Sequence, residues 1–124
     1  MNLEDLAERL AVERESHGLQ ELGDQFYLQA SEFLQSLHNS RQDVRDYREL
    51  AAIDDEIKNA RILIEGVYDK RLSKITQYAA IAAAGTKIPV DGMTMSERAV
   101  YDQLLESLQQ GRQKILMPAL KVSS

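Results

Sequence analysis

The sequence predicts an all-α protein, a four-helix bundle-like domain with one very long central helix. Strong helix formers dominate its 124 residues, which include only six glycines and two prolines. Apolar residues recur at steps of three and four, as on one face of a helix, and alternating runs typical of strands do not occur. Residues 43–85 keep the helical spacing throughout without a proline.

The first third of the chain contains two predicted helices. Leucines at helical spacing predict a first helix over 3–15, with Asn2 as its N-cap. The sequence Ser-His-Gly at 16–18 breaks this pattern. A second helix is predicted over 19–37, and a tight turn at 38–40 places the second and third helices antiparallel.

The long third helix is predicted over 43–85. Ser40 and Asp43 have the spacing of a capping box at its start, and Gly85 is suited to a left-handed cap at its end. A helix of roughly 40 residues is about 60 Å long, which exceeds the width of a compact domain of this size. We therefore expect part of its surface to contact another chain.

The fourth predicted helix follows a loop. Thr94 and Glu97 have capping-box spacing at its start, and Pro118 ends or kinks it. The expected domain organisation is a helical domain over 1–118, followed at 119–124 by the start of a linker or tail.

The composition argues against catalytic, metal-binding and membrane proteins. The absence of cysteine excludes thiolate catalysis and thiolate zinc sites. His17 and His38 are the only histidines, and neither follows a glutamate at the spacing of a bundle metal site. No apolar stretch is long enough to span a bilayer, and the N-terminus lacks the signal-peptide pattern. We expect no enzyme, no cofactor, no metal and no membrane contact.

The net charge of −5 is unevenly distributed along the chain. Residues 1–57 carry a net charge of −9, residues 58–87 carry +4, and residues 88–124 are balanced. Such a division favours complementary contacts between chains, or a local basic surface.

Charged residues crowd the central turns of the long helix. Arg71 lies four residues after Val67 and four before Ile75, on or beside the apolar stripe, so it must either reach water or meet a carboxylate. These charges are interpreted as a surface network, with an Arg61–Glu65 pair and with Asp69 paired to Lys70 or its neighbours, or as a means of setting one subunit's register against another. A third interpretation is a DNA-facing basic ridge of Lys58, Arg61, Lys70, Arg71, Lys74 and Lys87.

Two segments of the chain resemble a known family. The pattern Val67-Tyr68-x-x-Arg71-x-x-Lys74-Ile75 resembles the central helix of GINS subunits. Residues 93–104, MTMSERAVYDQL, are similar to the motif that opens the last helix of that family. The N-terminal LEDL and the Phe-Tyr pair of the second helix are similar to the archaeal branch.

The resemblance implies the helical A-domain of an archaeal GINS subunit of the A-before-B class, whose β-rich B-domain is absent here. GINS subunits are non-catalytic scaffold proteins of DNA replication that form tetramers. The implied partners are further copies or a second GINS-type subunit, the MCM helicase, a RecJ-like nuclease and, indirectly, DNA. The implied location is the cytoplasm, in association with the nucleoid.

A subunit interface is expected on the long helix and the last helix. Its expected residues are Ile57, Ile64, Tyr68, Arg71, Lys74, Ile75, Tyr78, Tyr101 and Leu104. The alternatives are a direct DNA-binding helical module and a generic helical adaptor.

Overall fold

The computed structural model describes residues 1–122. Its elements are α1 (Leu3–Glu15), α2 (Phe26–Gln42), α3 (Tyr47–Ala83), α4 (Met95–Gly111), a π-helical turn (Arg112–Leu116) and α5 (Met117–Leu120). Every regular element in this range is helical, which confirms the all-α class and the single very long helix.

Both α1 and α4 begin where their capping residues predict. The Asn2 side chain accepts a hydrogen bond from the Asp5 N–H at 2.8 Å, and the Asp5 carboxylate accepts one from the Asn2 N–H at 3.0 Å. Thr94 and Glu97 make the same reciprocal pair at the start of α4. These bonds satisfy N–H groups that the first helical turn leaves free, so the sequence alone locates both helix starts.

The predicted bounds of the second helix, 19–37, are wrong at both ends, because α2 begins at Phe26 and continues to Gln42. The preceding residues form a loop whose backbone makes hydrogen bonds to side chains of α3. The Leu19 N–H donates to the Tyr78 hydroxyl at 2.9 Å, and Gly23 turns the chain with a φ of 84°. These tertiary contacts outweigh the helix propensity of the segment.

The turn between α2 and α3 lies at 43–46, later than the predicted 38–40. Ser40 lies inside α2, where its hydroxyl donates to a carbonyl of the same helix at 3.0 Å, so the predicted capping box does not form. The N-cap of α3 is Asp46, whose carboxylate accepts a hydrogen bond from the Arg48 N–H at 2.8 Å.

The long helix α3 is continuous over 37 residues, or about 55 Å at 1.5 Å per residue. Gly66 lets α1 pack closely, since a Cβ atom there would lie 3.0 Å from the Leu10 Cδ2 atom. Gly85 follows the end of the helix with a φ of 104°, as the predicted left-handed cap requires.

Three helices pack on α3, which forms the centre of the fold. α2 runs antiparallel to α3, as predicted: Tyr27 stacks edge-to-face on Tyr68, and further along Arg41 pairs with Asp54. The first core, between α1, α2 and the N-terminal half of α3, contains Leu6, Leu10, Leu22, Phe26, Leu37, Ile57, Ala60 and Val67. The second core, between α4 and the C-terminal half of α3, contains Ile75, Ala79 and Tyr101.

The last helical segment extends past Pro118 to Leu120. Pro118 stands in the first turn of α5, where a missing N–H is tolerated. Of the expected tail, residues 119–120 are therefore helical, while residues 123–124 lie outside the described part of the chain.

Candidate assembly site

The nine residues expected at a subunit interface do not share one surface. The chain's own fold buries five of them: Ile57, Arg71, Lys74, Ile75 and Tyr101. Three are half-buried: Ile64, Tyr78 and Leu104. Tyr68 is exposed, with 46% of its surface accessible. Another chain can therefore reach four of the nine side chains.

Arg71, in the second half of α3, is fully buried, and its guanidinium donates hydrogen bonds to four other residues. Its Nε and Nη2 atoms donate to the two carboxylate oxygens of Glu97 on α4, each at 2.7 Å. Its Nη1 atom donates to the carboxylate of Glu13 on α1. The carbonyls of Gln20 and Gly92 accept further bonds at 2.6 and 2.8 Å. One guanidinium thus joins α3 to two helices and two loops.

Lys74, one turn further along α3, is buried beside the C-terminal end of α1. Its Nζ atom lies 2.7 Å from both the carboxylate and the backbone carbonyl of Glu13. The Gly18 carbonyl lies at 2.8 Å and the Ser16 hydroxyl at 3.1 Å. A cation at this position also interacts favourably with the negative end of the α1 dipole.

Glu97 accepts bonds from three parts of the fold. In addition to the bonds from Arg71, the Thr94 N–H donates a hydrogen bond to the Glu97 carboxylate at 2.9 Å. The Tyr27 hydroxyl of α2 donates another at 3.0 Å. Burial acts to raise the pKa of Glu97, but bonds from Arg71 and Thr94 and the Arg71 charge outweigh burial and lower it. Burial and the adjacent carboxylate raise the pKa of Tyr27, so its phenol remains a donor.

The four charged side chains Glu13, Arg71, Lys74 and Glu97, with Tyr27, are called the buried network below. Its two cations and two carboxylates balance, and no buried side-chain nitrogen or oxygen among the described residues lacks a partner. Since Val67 belongs to the first core and Ile75 to the second, the buried network separates the two cores. Removing one of the four charged members would leave an uncompensated buried charge, so these ion pairs favour one arrangement of α1, α3 and α4.

This geometry decides between the interpretations of the central charges. Arg71 and Lys74 pair inside the chain, across elements far apart in sequence. Within residues 1–122, Arg61 forms no ion pair with Glu65, and Asp69 forms none with Lys70 or its neighbours, so the predicted surface network is wrong. The proposed DNA-facing ridge loses Arg71 and Lys74 to the interior.

Of the two carboxylates in the buried network, only Glu13 has a signal in the sequence. Glu13 continues the spacing of Leu3, Leu6 and Leu10, so it lies on the apolar stripe of α1, where a carboxylate needs a buried partner. Glu97 was assigned only to the capping box, which it does form, and nothing local indicated its second role.

The family comparison matches residues 1–116 to the model described as Sld5, GINS complex protein helical bundle domain. The chain belongs to the GINS family. A search of the curated proteins finds no match. A GINS chain is a scaffold subunit of a DNA-replication complex, so its function depends on surfaces that bind other proteins.

This GINS chain presents two apolar clefts along α3. The α2–α3 cleft is lined by Tyr27, Leu34, Ile64 and Tyr68, with Arg61 and Glu65 at its edge. The α1–α3 groove consists of two adjoining clefts that share Leu3 and Asn59. Its apolar lining is Leu3, Ala7, Ala52, Ile53, Ile62 and Leu63, and its charged lining is Glu4, Asp55 and Glu56.

A third apolar surface of the GINS chain lies at its C-terminal end. The C-terminal overhang, defined as residues 108–122, exposes Leu108, Ile115, Met117, Leu120 and Val122. The π-helical turn packs on α4 and α5, its neighbours in sequence, and makes no extensive contact with α1, α2 or α3. Within residues 1–122, no helix is long and apolar enough to cross a bilayer.

Proposed function

We propose that this chain is the helical A-domain of an archaeal GINS subunit of the A-before-B class, and that it assembles into a tetramer. The tetramer contains further copies of the chain or a second GINS-type subunit. In the replisome it bridges the MCM helicase and a RecJ-like nuclease and reaches DNA indirectly, through these proteins. The chain contributes binding surfaces and no catalytic group.

The observation that supports this proposal most directly is the exposure of apolar side chains on a fold whose buried polar groups are hydrogen-bonded. Ile62 is 56% exposed and Ile115 is 77% exposed, whereas the buried network satisfies the polar groups inside. Large interfaces between permanent subunits depend mainly on apolar burial. Contiguous exposed apolar surface typically marks a site that binds another protein.

The expected interface residues take two roles in this proposal. Tyr68 and Ile64 in the α2–α3 cleft, and Tyr78 and Leu104 near the end of α3, are accessible enough to contact a neighbouring subunit. The five buried residues contribute by holding the helices that carry this surface. Accessible and buried members of the expected set therefore occur on both α3 and α4.

Co-expression tests the assembly. The chain is produced with each GINS-type subunit encoded in the same genome, and the complexes are weighed by native mass spectrometry. We expect co-purification in a fixed ratio with a tetrameric mass, weakened by Tyr68→Asp and unaffected by Tyr47→Asp, since Tyr47 is 89% exposed and lies outside the α2–α3 cleft. A chain that remains monomeric and binds none of these subunits would contradict the proposal.

Bridging is tested with the assembled tetramer and purified partners. An immobilised tetramer is expected to retain the MCM helicase and the RecJ-like nuclease together, in equal amounts whether they are added singly or mixed. Displacement of one partner by the other would contradict bridging while leaving the assembly itself intact.

A further inference from the structure

The C-terminal overhang leaves several large apolar side chains exposed. Ile115 is 77% exposed, Met117 52% and Leu120 62%, all within a helical segment that does not pack on the body of its own chain. Transfer of a large aliphatic side chain from water into an apolar contact is favourable, so several such side chains together favour association. The overhang therefore has the character of an unpaired half of an interface.

The overhang is also cationic. Residues 108–122 contain Arg112, Lys114 and Lys121 and no aspartate or glutamate. An apolar helical segment with only positive charges favours a groove that is apolar at its base and acidic at its edges.

The α1–α3 groove of this chain has those properties. Its base includes Ile62 and Leu63, and each charged residue that lines it is acidic: Glu4, Asp55 and Glu56. From Ala52 to Leu63 the groove extends about 16 Å along α3, close to the length of about 18 Å from Leu108 to Leu120 in the overhang. The two surfaces therefore match in chemistry and in length.

The overhang cannot occupy the groove of its own chain. Because Glu97 pairs with Arg71 and Tyr101 packs beyond it against Ile75, α4 runs in the same direction as α3. The overhang consequently continues away from the C-terminal end of α3. The groove ends at Leu63, about 30 Å back along α3 from Ala83. Contact between them requires two molecules.

We propose that the C-terminal overhang of one copy docks in the α1–α3 groove of a second copy. When the α3 helices of two copies lie antiparallel, the overhang of each copy reaches the groove of the other copy. The contact then occurs twice and forms a symmetric dimer. The proposal rests on the proposed function, to which it adds the pair of surfaces and the identity of the partner as another copy of this chain.

Disulfide trapping tests this contact directly, because the chain has no cysteine of its own. A chain carrying Ile115→Cys is mixed with one carrying Ile62→Cys under mild oxidation. We expect a mixed disulfide dimer to form at least about tenfold faster than in the control, in which Ile62→Cys is replaced by Leu28→Cys. Leu28 is 54% exposed on α2 and does not line the groove, so equal rates would overturn the proposal.

Sedimentation equilibrium measures the energetic side of the same contact. Ile115→Asp is expected to weaken self-association about a hundredfold, since one apolar contact is lost at each of two sites and each 1.4 kcal/mol is a factor of ten. Leu28→Asp is the matched control and should have no effect. Circular dichroism of both variants establishes that the helices are retained.

Charge reversal tests the orientation. Lys114→Glu and Asp55→Arg should each weaken the dimer about tenfold, and an equimolar mixture of the two variants should associate more tightly than either alone. Failure of the mixture to recover association overturns the proposal.

Two results overturn the proposal without affecting the proposed function. One is a dimer that is insensitive to Ile115→Asp. The other is a monomer that binds a different GINS-type subunit through the overhang, which would make that subunit the occupant. Loss of all binding to GINS-type subunits by the unaltered chain would instead remove the proposed function itself.

Discussion

Arg71 on α3 and Glu97 on α4 form a bidentate ion pair in which both nitrogen–oxygen distances are 2.7 Å. The same carboxylate caps α4 through Thr94, so a single side chain both starts α4 and attaches it to α3. Arg71 also binds Glu13 of α1. The direction of α4, and with it the position of the C-terminal overhang, therefore depends on a charge cluster inside the chain.

Replacing Arg71 should destabilise the fold severely. Arg71→Ala leaves Glu97 without its ion-pair partner in the interior, and we expect a loss of about 3–5 kcal/mol in the free energy of unfolding, measured by urea denaturation. Arg61→Ala is the matched control, since Arg61 is exposed, and should change stability by less than about 0.5 kcal/mol. Similar small effects for both variants would contradict a structural role for the buried network.

Stability should fall in acid because of Glu97. Its pKa in the folded state is lowered, with the bonds and charge of Arg71 outweighing burial, relative to an ordinary value of 4.5. A carboxyl whose pKa is depressed by folding contributes stability that is complete above its unfolded pKa and is lost as the pH falls through its folded pKa. We therefore expect the stability difference between the unaltered chain and Glu97→Gln to be constant from neutral pH to about 5 and to shrink below about 4.5. Thermal unfolding across this range measures it, and a difference that grows in acid would refute the assignment.

Removal of the Tyr27 hydroxyl isolates one bond of the buried network. Tyr27→Phe removes the donor that lies 3.0 Å from the Glu97 carboxylate, and hydrogen bonds to charged groups are worth about 1.5–3 kcal/mol. We expect a destabilisation in this range by urea denaturation. Tyr47→Phe, at a tyrosine that is 89% exposed, should leave the unfolding midpoint unchanged.

Replacing Gly92 or Gly111 with alanine should change the stability of the fold in opposite directions. Gly92 has a φ of 90°, and a Cβ atom there would lie 3.3 Å from the carbonyl oxygens of Leu19 and Gln20, so Gly92→Ala should destabilise by about 1–3 kcal/mol. Gly111 is helical with a φ of −59° and open space around it, so Gly111→Ala should stabilise by about 0.5–1 kcal/mol. Melting temperatures that move in the same direction for both variants would show that one of these backbone assignments is wrong.

Several parts of the fold that depend on near neighbours were predictable, although the local Ser40–Asp43 capping box does not form. The capping boxes of α1 and α4 join residues three positions apart, and the left-handed cap at Gly85 follows from the missing Cβ atom. The continuity of α3 follows from apolar spacing without a proline.

The start of α2 was not predictable in the same way. Residues 19–23 have helix-compatible composition, but Leu19 donates to Tyr78 and Gln20 accepts from Arg71, both more than 50 positions away. These long-range hydrogen bonds satisfy backbone N–H and carbonyl groups that a local helix would otherwise have paired with each other.

By itself, the sequence determined the helical class, the presence of one very long helix, the starts of α1 and α4 and the GINS resemblance, because spacing, caps and motifs act over a few residues. The tertiary structure decided that Arg71 and Lys74 belong to the interior and not to a subunit or DNA surface. Their partners Glu13 and Glu97 lie up to 61 residues away and become neighbours only when α1 and α4 pack on α3. Which apolar side chains remain in water is likewise settled only by that packing.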